Sequence, residues 1–359
     1  VYVIGNEIRG RMNTLFSSIK ELDQKMIDLN LGVDTSMFQP IERDKRKENV
    51  EKMCRVLPES SSGRTPEMSE RLVTTIRNNI KKEELIKLIN ESSDYNAKDF
   101  DVDIKKRLWR INWENDSLIL FVGRLIASKG IQSVIAALPL IIKEHPDTKL
   151  LVVGHGPLRE ILEIILWALK KGAINLIQSI INWGGDLKDT RPNPFLEIKY
   201  FFEKLAKNKK LETYFKLAQK YIQSDTVIFT GYLTHNELRY LFPACDVSIF
   251  PSVVPEAGPL VFLESLASGC FPVGTYFAGM AASIDSVKGS LPDQVLQLMK
   301  LSPNPKETIP NMVDKVMGVL NLNGRYKYDL QKVAISRYDW KNISKSFADE
   351  LKQLCPDNN

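Results

Sequence analysis

The sequence predicts an α/β fold, built on a Rossmann-like, doubly wound parallel sheet with helical insertions. Between Trp113 and about Thr275, short apolar runs alternate with helical patterns, as strands and crossover helices do in such sheets. The apolar runs are continuous, which is typical of strands that are buried on both faces. The 359 residues are enough for roughly two domains, each with its own core.

Five apolar runs are the predicted strands. The first two, Ser117–Arg124 and Lys149–Gly154, are joined by a helical pattern at Gly130–His145 and form a βαβ unit. Further strands are predicted at Thr226–Gly231, Asp246–Phe250 and Cys270–Gly274, with helices at His235–Ala244 and Pro259–Ser268. Doubly wound sheets bind their ligands at the carboxyl ends of the strands, so we expect functional residues in the loops that follow these runs.

Two segments interrupt the alternation. Residues 41–106 are charge-rich and helical in pattern, and we expect a solvated helical insertion there. Residues 161–223 hold a dense apolar run followed by amphipathic helix patterns. Lys170, Lys171 and Gly172 break that run below the roughly 20 apolar residues of a membrane span. The pattern favours a helical hairpin packed on the core or on another subunit, with contact to a membrane surface as the alternative.

Composition and charge exclude several classes of function and site. Hydrophobic residues at 43% and charged residues at 26% are typical of a folded globular protein. The net charge of +5 lacks the clustering that nucleic-acid binding needs, so we expect no DNA or RNA partner. The four cysteines and three histidines show no metal-ligand spacing, which predicts neither zinc nor disulfides and indicates the reducing cytoplasm. The chain starts at Val1 without a signal-peptide pattern, and we expect a fragment or a processed piece.

The first candidate site is the loop Gly123–Gly130, which follows a predicted strand and opens a helix. Arg124 and Lys129 lie five residues apart in it, beside the free N–H groups of a helix start. Two cations in that position can bind a pyrophosphate. The glycine-lysine pattern of a phosphate-binding P-loop is absent, and two ordinary surface cations are the alternative interpretation.

The second candidate site follows the strand at Asp246–Phe250. Small residues place Glu256 in the loop, and Glu264 lies along the helix that Pro259 starts. Two carboxylates eight residues apart can accept hydrogen bonds from a hydroxyl-rich ligand such as a sugar or a ribose. For either glutamate alone, an electrostatic role at the helix start is an equal alternative.

These residues carry a resemblance to a known family. The ordered segments GRLIASKG, VVGHGPLRE, VIFTGYLTHNEL and DVSIFPSVVPEAGPLVFLESLASGCFPV resemble the donor-binding half of a GT-B fold glycosyltransferase, in the large retaining family called family 4. Glu256 and Glu264 match the family's paired glutamates, with seven residues between them. Upstream, VYVIGNEIRGRM and LNLGVDTSMFQP (Leu29–Pro40) resemble the end of the amino-terminal half and the interdomain segment. Downstream, Arg337–Leu354 resembles the terminal helix that packs back across the cleft.

The resemblance implies a role for each matching residue. Arg124 and Lys129, after Gly123, would bind the donor diphosphate, and Glu256 would hold hydroxyls of the transferred sugar. Glu264 would accept the ribose hydroxyls. The backbone from Ala257 to Leu260 would meet sugar and phosphate, and the loop Gly231, Tyr232, Leu233 would receive the base. The residues implied to be catalytic are Arg124, Lys129 and Glu256. The donor would be a UDP- or GDP-hexose, such as UDP-glucose, and neither a cofactor nor a metal is expected.

Two departures from the family pattern are visible. Pro259 stands where the family has a residue with a backbone N–H, so one donor contact is absent. About 150 residues that would supply the acceptor site are not in the sequence. We therefore expect four segments: 1–40, a remnant of the amino-terminal half with the linker; 41–112, a charged helical insertion; 113–300, the nucleotide-sugar-binding domain with a helical insertion at 161–223; and 301–359, C-terminal helices.

Other functions and residue roles are compatible with parts of the sequence. A non-catalytic binding or scaffolding module is the main alternative, and an oxidoreductase lacks its GxGxxG motif. We expect His155 to lie at a strand end where the glycine turn suffices, and His235 to begin a helix after the base loop with its side chain exposed; ligand contact is the alternative for both. We assign no role to Asp285. We expect Cys245 and Cys270 to be small buried hydrophobic residues.

Overall fold

The computed structural model describes residues 2–3, 5–28, 31–187 and 193–354. Val1, Ile4, Leu29, Asn30 and Cys355, which enter the sequence predictions above, lie outside the described residues, as do residues 188–192 of the second insertion.

A six-stranded parallel sheet forms the centre of the molecule. The described residues form eight strands, of which six belong to this main sheet. They are β1 (Tyr2–Val3), β2 (Ile27–Asp28), β3 (Ser117–Val122), β4 (Thr148–Val153), β5 (Val227–Gly231), β6 (Val247–Phe250), β7 (Phe271–Thr275) and β8 (Lys300–Leu301). In the main sheet their order is β5-β4-β3-β6-β7-β8, and β1 pairs with β2 in a separate parallel pair. The chain reverses its winding direction between β3 and β6, which opens a crevice at their carboxyl ends. The predicted doubly wound α/β fold is therefore confirmed.

Seventeen α-helices surround the sheets in the described part of the chain. They are α1 (Gly5–Leu15), α2 (Arg46–Val56), α3 (Pro66–Thr75), α4 (Lys82–Glu91), α5 (Ile104–Leu108), α6 (Ile131–Glu144), α7 (Arg159–Lys171), α8 (Ile174–Trp183), α9 (Leu196–Lys207), α10 (Leu211–Tyr221), α11 (His235–Leu241), α12 (Leu260–Ala267), α13 (Ala278–Asp285), α14 (Asp293–Leu296), α15 (Thr308–Leu320), α16 (Lys327–Tyr338) and α17 (Trp340–Leu354).

The main sheet is buried on both faces, as the continuous apolar runs predict. β3 and β4 pair in register from Ser117 with Thr148 to Val122 with Val153. Leu120 is fully buried in the centre of this pairing. The five predicted strands lie within two residues of their observed bounds. β8 was not predicted, because two residues form no apolar run.

The first insertion is helical but not solvated on all sides. Its helices α2 to α5 place Met53, Leu72, Leu85 and Ile89 in the main core with no exposed surface. Charged residues outnumber the apolar ones in the sequence, yet the apolar ones recur at helical spacing and form one face. The description of this segment as solvated was therefore wrong for that face.

A buried network of ion pairs fastens this insertion to helix α7. Arg64 has no exposed surface and contacts Glu163 at 2.9 Å and Glu160 at 3.3 Å. Arg159 contacts Glu163 at 2.8 Å and Asp101 at 2.7 Å. Because each buried charge has an opposite charge within hydrogen-bond distance, the network compensates for lost hydration.

The second insertion packs on the core as a set of helices. Helices α7 and α8 form a hairpin, and Gly172 ends α7 in the left-handed conformation. Ile161, Leu176 and Ile180 are each about 1% exposed. Among the described residues, no helix has the length and apolar character needed to cross a membrane. The predicted hairpin is confirmed, and its apolar side chains lie in the core.

The segment before the first insertion pairs with the start of α17. Val33 donates to the Tyr338 carbonyl at 2.7 Å, and Trp340 donates to the Val33 carbonyl at 3.2 Å. A side chain at Gly32 would overlap the Trp340 ring, since its Cβ would lie 2.5 Å from a ring carbon. These contacts join the segment around Val33 to the chain where α16 ends and α17 begins.

Candidate functional site

The two candidate loops meet at the crevice between β3 and β6. The Ser128 carbonyl accepts hydrogen bonds from Val253 N at 2.9 Å and from Ser252 Oγ at 3.0 Å. Gly130 has a φ of 73°, and a Cβ there would lie 2.0 Å from the Pro251 carbonyl oxygen. Only glycine allows this left-handed conformation and close approach. The sequence therefore brings the loop after β3 against the loop after β6 through their backbones.

Lys129 and Glu256 form an ion pair across these loops. Lys129 Nζ lies 2.7 Å from Glu256 Oε2, and both side chains are partly exposed. Arg124 is exposed, and no ion pair or hydrogen bond of its side chain is present among the described residues. One of the two predicted phosphate-binding cations is thus paired with the predicted sugar-binding carboxylate, and the other is available to an anion.

The loop from Glu256 to Pro259 leads into helix α12. Gly279 donates to the Glu256 carbonyl at 2.9 Å and has no room for a side chain, because a Cβ would lie 2.2 Å from the Ala257 carbonyl oxygen. Pro259 precedes the helix, and its carbonyl accepts from Phe262 N at 3.0 Å. Within the described residues, the backbone N–H groups of Gly258 and Leu260 have no hydrogen-bond partner. These groups are free donors at the positive end of the helix.

Glu264 is the most deeply buried of the predicted site residues that carry a charge. Its side chain is 5% exposed, and its Oε1 accepts a hydrogen bond from His235 Nδ1 at 2.7 Å. Its Oε2 is buried, and no partner for it is present in the described structure. Burial raises the pKa of Glu264, while the adjacent His235 counteracts part of that rise. An unsatisfied buried carboxylate oxygen is costly and indicates a ligand that donates a hydrogen bond.

His235 reaches Glu264 because of how helix α11 begins. Thr234 caps the helix: its Oγ1 accepts from Asn236 N, and Glu237 Oε2 accepts from Thr234 N at 2.7 Å. This capping box places His235 in the first turn, next to α12. The contact of His235 with Glu264 was missed from sequence, because no spacing rule relates the first residue of one helix to the middle of another.

The predicted base loop follows β5. Gly231 has a φ of 73°, and its carbonyl accepts from Gly154 N at 2.8 Å. Tyr232 is 41% exposed, and its ring stacks on that of His155 with 5.4 Å between centroids. Leu233 is buried. Burial and the nearby Arg124 lower the pKa of His155, so the ring favours its neutral form.

One backbone group of this loop is already occupied. Tyr232 N donates to the Asp99 carbonyl at 3.0 Å, and Asp99 belongs to the first insertion. Leu233 N has no hydrogen-bond partner within the described ranges. Of the backbone N–H groups that were expected to meet a base, that of Leu233 is available and that of Tyr232 is not.

The remaining predictions concern residues outside the crevice. Cys245 and Cys270 are buried, as predicted, and burial raises the pKa of both thiols. The Asp285 carboxylate accepts from the Tyr276 hydroxyl at 2.8 Å and lies 3.3 Å from Lys300 Nζ. These contacts hold Asp285 at the β7 and β8 side of the sheet.

The crevice therefore combines three kinds of group that act on different parts of one ligand. Arg124 and Lys129 are cations beside free backbone donors, Glu256 is a partly exposed acceptor, and Glu264 offers an unsatisfied buried oxygen. Cations and N–H groups suit phosphate oxygens, whereas carboxylates suit hydroxyl groups. The arrangement fits a ligand that carries phosphates and several hydroxyls.

Comparison with curated proteins finds glycosyltransferases. An uncharacterised glycosyltransferase of Methanocaldococcus jannaschii is 24% identical over 288 residues, which is 76% of this chain and 57% of the relative. A glycogen synthase of Mycobacterium tuberculosis is 25% identical over 166 residues, or 46% of this chain and 27% of that protein.

Solved structures with a similar fold include three from bacteria. A glycosyltransferase from Rickettsia africae has a TM-score of 0.52 and 14% identity, with 100% of this chain and 64% of that chain covered. A sucrose-phosphate synthase from Thermosynechococcus elongatus has a TM-score of 0.50 and 14% identity, with coverage of 99% and 58%. Anabaena HepE, in complex with UDP and glucose, has a TM-score of 0.50 and 14% identity, with coverage of 98% and 63%. The chain thus spans about three fifths of the length of these proteins.

A family model covers the sheet and the crevice. The model described as glycosyl transferases group 1 matches residues 103–181 and 186–307, which is more than half of the chain. The match includes β3 to β8 and every candidate site residue named above. The chain therefore belongs to the glycosyl transferases group 1 family, whose GT-B fold its sheet shares.

Proposed function

We propose that this chain is the donor-binding part of a retaining hexosyltransferase of family 4, which uses a nucleoside-diphosphate sugar. The observation that carries the proposal is the buried Glu264 oxygen without a partner, in the same crevice as the exposed Arg124 and the Lys129–Glu256 pair. One nucleotide sugar carries ribose hydroxyls, a diphosphate and a hexose. These parts can be bound by the buried carboxylate, by the cations and by the partly exposed carboxylate, respectively.

Each group then has one part of the donor to bind. Glu264 Oε2 accepts a ribose hydroxyl, and Leu233 N meets the base. Arg124, Lys129 and the free N–H groups of Gly258 and Leu260 bind the diphosphate. Glu256 accepts hydroxyls of the hexose. The Lys129–Glu256 ion pair has to open or be bridged when the donor enters, because both partners then contact the ligand.

The proposed reaction needs positioning and charge stabilisation from these residues. The bond between the hexose C1 and the diphosphate oxygen breaks, and the bonding electrons leave with the nucleoside diphosphate. The acceptor hydroxyl oxygen bonds to C1 from the same face, and its proton passes to the departing phosphate oxygen. Negative charge that develops on the phosphates is stabilised by Arg124, Lys129 and the helix α12 start. The proposal assigns no step to a metal or cofactor.

In our proposal, the acceptor binds to a part of the enzyme that lies outside this sequence. The chain spans 57–64% of the relative from Methanocaldococcus jannaschii and of the solved Rickettsia africae and Anabaena proteins. β1, β2 and α1 form a small unit with its own core of Val3, Leu22 and Met26, separate from the main sheet. We propose that this unit is the end of an amino-terminal half that binds the acceptor.

A comparison of two ligands tests the assignment of Glu256. UDP serves as the probe without a sugar and UDP-glucose as the probe with one, since Anabaena HepE has been solved in complex with UDP and glucose. In Glu256→Gln, we expect UDP-glucose to bind about tenfold more weakly, because a charged hydrogen bond is lost. UDP binding should stay unchanged or become tighter, because Lys129 is released.

Isothermal titration calorimetry of the wild-type chain and of Glu256→Gln, each with UDP and with UDP-glucose, gives the four dissociation constants. Glu203→Gln, on the exposed side of α9, is a matched control outside the crevice. An equal loss of UDP and UDP-glucose binding in Glu256→Gln would place Glu256 at the nucleotide and contradict its role at the hexose.

A further inference from the structure

The first insertion reaches the base end of the crevice through its backbone. Asp101 N donates to the Thr230 carbonyl at 2.8 Å, and Phe100 forms an antiparallel bridge with Gly231. The Asp99 carbonyl accepts from Tyr232 N at 3.0 Å. These contacts run along the end of β5 and the start of the base loop. Segment 96–101 of the insertion thus lies along the loop that we propose receives the base.

Gly231 shows how closely the two segments approach each other. A Cβ at Gly231 would lie 2.7 Å from the Asp99 carbonyl oxygen and 2.7 Å from Asp101 N. The position also has a positive φ of 73°, which side chains rarely adopt. Segment 96–101 is therefore held against the loop and does not simply lie near it.

The buried ion-pair network fixes the other side of the same segment. Asp101 is 1% exposed and contacts Arg159 at 2.7 Å and Arg107 at 3.0 Å. Asn96 N donates to the Ser62 carbonyl at 2.9 Å. With both ends anchored, the positions of the residues between them are set by the fold.

Lys98 is the residue of this segment that carries a cationic side chain. The Asp99 carboxylate is engaged by Ser62 N at 2.8 Å and by Phe100 N at 2.8 Å. The Asn96 side-chain oxygen accepts from Lys98 N at 3.1 Å. The Lys98 side chain is exposed, and its ammonium group has no hydrogen bond or ion pair among the described residues. Its charge also lies close enough to contribute to the lowered pKa of His155, which stacks on Tyr232.

We infer that Lys98, carried by the first insertion, contacts the base of the bound nucleotide and selects a base with a carbonyl oxygen at its exposed edge. An ammonium group donates hydrogen bonds and accepts none. Uracil O4 and guanine O6 are acceptors, whereas cytosine and adenine carry an amino donor at the same edge. Lys98 therefore favours uridine or guanosine nucleotides. This inference rests on the proposed donor site.

The test uses pairs of nucleotides that differ at that edge. UDP and CDP form one pair and GDP and ADP the other, and each is titrated into the wild-type chain, Lys98→Met and Lys98→Arg. We expect the wild-type chain to bind the carbonyl member of one pair about tenfold more tightly than the amino member. In Lys98→Met that preference should fall to about twofold or less, with the affinity for the amino member unchanged. Lys98→Arg should keep the preference.

The controls separate this inference from the proposed function. Lys47→Met removes another exposed cation of the insertion, on α2, and should leave all affinities unchanged. If the wild-type chain binds one nucleotide and Lys98→Met keeps its preference, the role of Lys98 is wrong and the donor site stands. If the wild-type chain binds none of the four, the donor site and the inference fail together.

Discussion

At the scale of single residues, the site is organised around two carboxylates with different surroundings. Glu256 is partly exposed and paired with Lys129 at 2.7 Å. Glu264 is buried, and its Oε1 accepts a hydrogen bond from His235, while its Oε2 has no partner in the described structure. The difference follows from position, because Glu256 lies in a loop and Glu264 lies on the inward face of α12. We therefore expect the two residues to respond differently to pH.

Donor binding should weaken at mildly acidic pH because of Glu264. Burial raises the pKa of this carboxyl, so it gains a proton at a higher pH than an ordinary glutamate does. In our proposal the ionised form accepts the ribose hydroxyls, so the affinity for the donor should fall as the pH drops through that raised pKa. Titration of UDP-glucose between about pH 5 and pH 8 measures the effect, since its phosphates do not titrate in this range.

Glu264→Gln provides the matched comparison. Glutamine keeps the shape and one acceptor oxygen but does not titrate, so its affinity for UDP-glucose should be lower and should lose the part of the pH dependence that Glu264 causes. A Glu264→Gln protein that shows the same acid-side loss as the wild-type chain would assign the titration to another group.

The sequence predicted the positions of the candidate site residues better than their contacts. Arg124, Lys129, Glu256 and Glu264 all lie at the crevice, because strand ends and helix starts can be located from apolar runs and turn residues. Their partners could not be predicted in the same way. His235 and Glu264 are 29 residues apart, and their contact depends on how α11 packs beside α12.

At the scale of secondary structure elements, the first insertion differs most from expectation. Its helices were predicted from spacing, but the surface that they cover was not. Asp101 and Arg159 are 58 residues apart, so nothing in the local sequence indicates that they meet. The same contact decides that segment 96–101 borders the base loop. A charge-rich helical segment can therefore be part of both the core and the site.

The buried network should contribute strongly to stability. Arg159→Met leaves Asp101 with Arg107 and Glu163 with Arg64, so each acid loses one of its two cations. The free energy of unfolding should fall by about 2–3 kcal/mol, which is less than the roughly 3–5 kcal/mol of a fully unpaired buried charge. Urea-induced unfolding followed by circular dichroism measures the change. Arg71→Met is the matched control, because the Arg71–Glu91 pair is exposed and is worth at most about 1 kcal/mol. Equal losses in the two variants would show that the network is not a main anchor of the insertion.

The pH dependence of that stability has a defined sign. Burial alone would raise the pKa of Glu163, but Arg159 and Arg64 hold it below its usual value. A carboxyl whose pKa is lowered on folding stabilises the fold above its unfolded pKa, near 4.3. That contribution is lost as the pH falls from the unfolded pKa through the lowered folded pKa, so the stability that Glu163 supplies is lost only below the usual pKa of a glutamate.

At the scale of the whole molecule, the sheet topology determines where the site forms. The reversal between β3 and β6 brings the loops after these strands together, while β5 adds the base loop from the side. The doubly wound fold was predictable because buried parallel strands leave continuous apolar runs in the sequence. The edge strand β8 and the contacts of the insertions were not, since they depend on tertiary packing.

At the scale of the whole molecule, we propose that the crevice binds a nucleotide sugar. Isothermal titration calorimetry of the wild-type chain and of Glu264→Ala, with UDP, GDP, UDP-glucose and GDP-mannose, tests this claim most directly. We predict that nucleotides of one base bind the wild-type chain and that Glu264→Ala weakens them about 10- to 100-fold, because charged hydrogen bonds to the ribose are lost. No binding of any of the four, or equal binding by Glu264→Ala, would contradict the account.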